Sequence, residues 1–109
     1  MVDQWRNCAV KFPGDFREIH GCTVERDSGA LRITIPGGVV EQAISAIDRL
    51  PRRRWKAFPI DASCLGGQHE TFNKCTLKKH ERGPSVSEIG IQLGDDEPPR
   101  PHVFTFRCK

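Results

Sequence analysis

Hydrophobic residues recur at every second position in several short stretches of the chain, the period of a strand with one buried face. From Trp5 to Phe12 the residues Cys8, Val10 and Phe12 alternate with Asn7, Ala9 and Lys11, which predicts a first strand ending at Pro13-Gly14-Asp15. Further on, Cys22 and Val24 run through Asp27-Ser28-Gly29 into Leu31, Ile33 and Ile35. Two alternating runs joined by a short glycine-containing turn predict a hairpin. Pro36-Gly37-Gly38 ends it, and the period then changes. Val40, Ile44, Ile47 and Leu50 are spaced by four, three and three, the stripe of an amphipathic helix over about residues 39–50 that Pro51 terminates.

The second half is less regular. Trp55 to Ile60 reads as an extended segment interrupted by Pro59, Cys64 to His69 as a glycine-containing loop, and Thr71 to Leu77 as a strand. Val86 to Leu93 carries both a period of two and a Ser85/Glu88 capping box; Gly90 disfavours helix and tips the reading to strand. Gly94 to Pro101 forms an acidic, proline-stiffened loop, and Phe104, Phe106 and Cys108 alternate in a last strand. Strands grouped around one helix predict an α+β fold: a small antiparallel sheet or partial barrel of five to six strands with one main amphipathic helix, in a single compact domain spanning 1–109.

Composition adds detail to that picture. Glycine and proline together make 18 of the 109 residues, which shortens regular elements and lengthens connections. No apolar run reaches the roughly 18 residues of a membrane span, and the first residues lack the apolar centre of a signal peptide. These features predict a soluble, cytoplasmic protein with no membrane contact. Five cysteines, Cys8, Cys22, Cys64, Cys75 and Cys108, are odd in number and follow no framework spacing, so free thiols are expected, with Cys8 and Cys108 as core residues.

Charge carries the main functional signal. The formal net charge of +3 hides a segment from Arg49 to Arg82 with nine basic residues against Asp61, Glu70 and Glu81, while acids exceed bases over the rest. Such a block attracts phosphates or an acidic protein surface. Its densest part is Arg52-Arg53-Arg54-Trp55-Lys56, directly after the expected helix, with Lys78, Lys79 and Arg82 extending it. Trp55 either folds back into the core or stands out as an anchor; an exposed indole among guanidinium groups suits a protein interface and also base stacking.

Chemistry-bearing groups are present without an assembled motif. Cys64, His69, Cys75 and His80 follow a Cys-x4-His-x5-Cys-x4-His array of zinc-ligand types. With Asp61 in front, the same stretch resembles a zinc knuckle whose first cysteine is replaced and whose last gap is one residue longer. Cys64 or Ser63 with His69 and Asp61 supply residue types for nucleophilic catalysis, but no nucleophile elbow or phosphate loop accompanies them, and His69-Glu70 lacks the second histidine of a metalloprotease helix. Asp61-Ala62-Ser63-Cys64-Leu65-Gly66 also resembles the Asp-x-Ser-x-x-Gly signature of PilZ domains, with Arg49 and Arg53 standing for that family's Arg-x-x-x-Arg at a shorter separation. That resemblance implies cyclic-dinucleotide binding.

Taken together, these features predict a non-enzymatic interaction module, a small regulatory or inhibitory protein holding an acidic protein partner on its Arg/Trp patch without a cofactor. Nucleic-acid binding by the same patch is the alternative, with cyclic-dinucleotide binding ranked after it.

Overall fold

The computed structural model describes residues 3–13, 18–40, 47–82 and 100–108. They form six strands: β1 (Asp3–Lys11), β2 (Ile19–Asp27), β3 (Ala30–Ile35), β4 (Phe58–Cys64), β5 (His69–Arg82) and β6 (His102–Arg107). The strands close into an antiparallel barrel in the order β1-β2-β3-β6-β5-β4, with β4 pairing back onto β1. A helical turn at Gly37–Val40 and a 3₁₀ turn at Arg54–Lys56 complete the described elements.

The α+β expectation is therefore corrected to a nearly all-β barrel. In a closed barrel each wall covers the inner face of the opposite wall, so no helix layer is needed over the sheet. The middle of the expected helix, residues 41–46, lies outside the described residues. Its last two stripe positions, Ile47 and Leu50, are buried with the barrel core, and the Leu50 amide donates to the Ile47 carbonyl at 3.0 Å. The strand expected at Val86–Leu93 and most of the acidic loop, residues 94–99, also fall outside the described residues.

Alternation decides which side chains fill the barrel. Leu31, Ile33 and Ile35 on β3 point inward opposite Phe106, Phe104 and His102 on β6, and all six are buried. Phe106 meets Phe58 edge-on at 6.0 Å and Phe12 at 5.7 Å, contacts that add about 0.5–1.5 kcal/mol each beyond area burial. The β2–β3 hairpin turns at Ser28 and Gly29, both with positive φ, the requirement of a two-residue turn that matches strand twist.

Two irregularities in β5 set which of its side chains face inward. Opposite Pro59, which has no N–H to donate, β5 carries a bulge at Asn73 and Lys74, with Lys74 at φ 54°. A second shift at Lys78 moves the inward phase of β5 by one residue, so that His80 rather than Lys79 stands opposite Phe104.

The cysteines also depart from expectation. Cys8 is bonded to Cys64 and Cys75 to Cys108, leaving Cys22 as a buried thiol. Strand closure brings each pair together across sequence separations of 56 and 33 residues, distances over which spacing alone carries no pairing information.

Candidate functional site

Between Leu50 and Phe58, both buried, the chain must leave the core and return to it. Pro51 is held on the way out: its carbonyl accepts the Leu77 amide of β5 at 3.0 Å. Arg53 begins the 3₁₀ turn in extended conformation, and the Lys56 amide closes the turn on the Arg53 carbonyl at 2.9 Å. The segment between the two anchors is thus displayed outward. Arg52, Arg53, Trp55 and Lys56 are all exposed, and Trp55 is 70 % accessible. Arg54 lies on the same turn. Trp55 stands out from the surface and does not fold back.

The cations around the indole are close to it. Lys56 Nζ lies 4.8 Å and the Arg53 guanidinium carbon 5.9 Å from the ring centroid, within cation–π range. Beside them is an open depression of about 340 Å³ lined by Asp48, Arg49, Leu50, Pro51, Arg52, Arg53 and Lys56. Four cationic side chains share this hollow with one carboxylate, and that carboxylate is already engaged by His80 Nδ1 at 2.9 Å. The hollow therefore presents positive charge.

The Pro51–Leu77 hydrogen bond holds the start of the arginine-rich segment against β5. Lys78, exposed at the second register shift of β5, follows Leu77 directly and so is one residue from that bond. Lys79 is ion-paired with Glu81, whose carboxyl is held below its ordinary value by the hydrogen bond and charge of Lys79. Arg82 is exposed but five residues beyond Leu77 on the same strand, roughly 16 Å away at strand rise.

The four zinc-ligand candidates are separated by the fold. Cys64 and Cys75 are consumed by disulfides to different partners. His69 is exposed opposite Ser63 at the start of the β4–β5 hairpin, and His80 is turned toward the barrel core. Among the described residues no three His, Cys, Asp or Glu side chains are grouped to hold a metal. Asp61, first residue of the PilZ-like segment, accepts a hydrogen bond from the Thr71 hydroxyl at 2.6 Å between neighbouring strands.

One arrangement escaped the sequence reading. His80 Nε2 lies 2.7 Å from His102 Nδ1, while His80 Nδ1 faces Asp48 at 2.9 Å, giving a carboxylate–imidazole–imidazole line. Phe104 stacks on His80 at 4.3 Å with rings 7° apart. With His80 neutral, its Nδ1–H donates to Asp48 and its Nε2 accepts from His102. His102 shares the even-numbered phase of Phe104 and Phe106, a signal that it faces inward; the phase of His80 is set by the Lys78 bulge, which nothing in the sequence marks. The line joins the barrel interior to the basic hollow through Asp48.

Among the described residues no helix is long and apolar enough to cross a membrane. No family model matches the chain, and no curated protein or solved structure matches it.

Proposed function

We propose that this protein is a non-enzymatic interaction module, a small regulatory or inhibitory domain that docks an acidic protein surface on the patch formed by Arg49, Arg52, Arg53, Trp55, Lys56 and Lys78. The observation that carries this reading is Trp55, 70 % exposed among cations and displayed between two buried anchors. Tryptophan and arginine supply the largest contributions at protein interfaces, because a big apolar surface and a planar charged fork are buried together there. Exposed indoles are otherwise costly to leave in water.

An acidic protein fits better than a nucleic acid for a local reason. Lys56 and Arg53 already lie over the indole ring, so a stacking base would have to displace them. Carboxylates of a protein partner engage the same cations without clearing the ring. The two disulfides further support a role in an oxidising compartment rather than a reducing cytoplasm.

The test is partner capture by the wild-type chain against a variant carrying Arg52→Ala, Arg53→Ala and Trp55→Ala. Loss of capture with unchanged melting is the expected result; capture that survives the triple change rejects the surface.

A further inference from the structure

Three of the five cysteines lie in one transverse row of the barrel wall. Cys8 on β1 is the register partner of Cys64 on β4 and, on its other flank, of Cys22 on β2, a pair bracketed on both sides by register shifts between β1 and β2. Directly opposed residues in antiparallel strands project to the same face with Cβ atoms about 4.5–5.5 Å apart, close to the spacing that a disulfide spans. Cys8 and Cys22 are both fully buried, whereas Cys64 is only half-buried. Cys8 thus has a cysteine as register partner on each flank, one bonded to it and one holding a thiol.

We infer that Cys8 is a shared sulfur that exchanges partners within the row, moving the free thiol from buried Cys22 to half-exposed Cys64. The Cys22 thiol loses its proton to solvent, and its sulfur attacks Cys8 Sγ. The Cys8–Cys22 bond forms as the Cys8–Cys64 bond breaks, and Cys64 departs as a thiolate that takes up a proton. One S–S bond replaces another and one thiol replaces another, so neither oxidant nor reductant is consumed.

The order of the row favours this step. Thiol–disulfide exchange is a displacement at sulfur in which attacking, central and leaving sulfurs line up. The strand order β2-β1-β4 places Cys22, Cys8 and Cys64 in that sequence. The Cys64 sulfur lies on the far side of Cys8 from β2, behind the sulfur it is bonded to, so Cys8 is the sulfur that Cys22 meets first. Exchange is slow because the Cys22 thiol is buried, directs its S–H to the Ile19 carbonyl at 3.4 Å, and has its pKa pushed up to about 12 by burial. The Cys8–Cys64 isomer therefore persists until the row rearranges, and the rearranged form exposes Cys64 as a modification site for an external disulfide or electrophile.

The test uses the intact oxidised chain, incubated folded and without reductant at mildly alkaline pH with N-ethylmaleimide, the adduct being located by proteolysis and mass spectrometry. The expected result is adduct on Cys64, with Cys8 linked to Cys22 in the same molecules. Cys22→Ala, which removes the attacking sulfur, should slow labelling of Cys64 at least about tenfold. Cys64→Ala, oxidised, should carry a Cys8–Cys22 bond. Adduct on Cys22 with Cys8–Cys64 retained, adduct on all three cysteines, no adduct at all, or two free thiols in oxidised Cys64→Ala would each overturn the inference. The wild-type adduct position decides the matter even if a variant fails to fold.

Discussion

The Leu77 amide donates to the Pro51 carbonyl at 3.0 Å, tying the start of the arginine-rich segment to the middle of β5. This bond brings the start of the arginine-rich segment beside β5, one residue from Lys78. With Leu50 buried before it and Phe58 buried after it, the segment is held against the barrel while the side chains of Arg52, Arg53, Trp55 and Lys56 face water.

Patch and anchor should accordingly separate in stability. Trp55→Ala removes an exposed ring and should change the unfolding free energy by less than about 0.5 kcal/mol, the usual range for surface substitutions. Leu50→Ala empties a buried position and should cost about 2–5 kcal/mol. Urea denaturation of both variants checks the contrast; equal losses would mean that Trp55 is structural.

The imidazole line should contribute to stability through its partnerships. His80→Ala deprives His102 Nδ1 of a partner at 2.7 Å and removes the ring stacked on Phe104. Loss of a hydrogen bond inside the barrel costs about 1–3 kcal/mol. Denaturant unfolding should show at least that loss, and an unchanged midpoint would show that the line is not formed in solution.

Each disulfide restricts the unfolded chain. Replacing Cys75 and Cys108 together by alanine should cost about 2–4 kcal/mol. Replacing Cys8 and Cys64 should cost at least as much, because that bond closes the longer loop, 56 residues of separation against 33. Thermal melting of the two double variants, with and without dithiothreitol, measures both contributions; reductant should leave each variant with one fewer bond to lose than the wild type.

Cys22 predicts an alkaline limb. Its thiol titrates near 9.0 when unfolded and near 12 in the barrel, where burial disfavours the thiolate. The unfolded chain therefore gives up this proton first as pH rises. Stability from this group is intact below pH 9 and falls between pH 9 and 12, by up to about 1.4 kcal/mol per pH unit. Comparing Cys8→Ala/Cys64→Ala with and without Cys22→Ala, so that no exchange can consume the thiol, isolates the effect: the chain that keeps Cys22 should lose stability more steeply over that range, and parallel curves would contradict it.

How much of the fold and the patch was legible in the sequence depends on whether a feature is local. The alternations around Val10, Ile33 and Phe104 are local, and they mark β1, β3 and β6 within a residue or two of their observed positions. The Ser28-Gly29 turn is local as well. Barrel closure is not, because the β1–β4 and β3–β6 pairings join segments far apart in the chain. Without closure, the stripe from Val40 to Leu50 looks like the cover that an open sheet would need. Disulfide partners and the His80–His102 contact arise from the same pairings, and the two bulges in β5 shift the inward phase beyond what alternation can indicate. The run of basic residues from Arg52 to Lys56 was legible because it is contiguous; the approach of β5 to Pro51, one residue from Lys78, was not, since it depends on the Pro51–Leu77 bond.

The most direct test of the interaction surface is a fluorescence titration of a Trp5→Phe variant, which leaves Trp55 as the single indole of the chain's two. The ligands are a synthetic peptide alternating glutamate with leucine, and single-stranded and double-stranded oligonucleotides, each at low and at physiological salt. A surface built for an acidic protein should give a saturable change in Trp55 emission with the acidic peptide, persisting at physiological salt and lost in Arg53→Ala, and no retained binding of either oligonucleotide. Oligonucleotide binding with a steep salt dependence and no response to the peptide would contradict that role and assign the patch to nucleic acid.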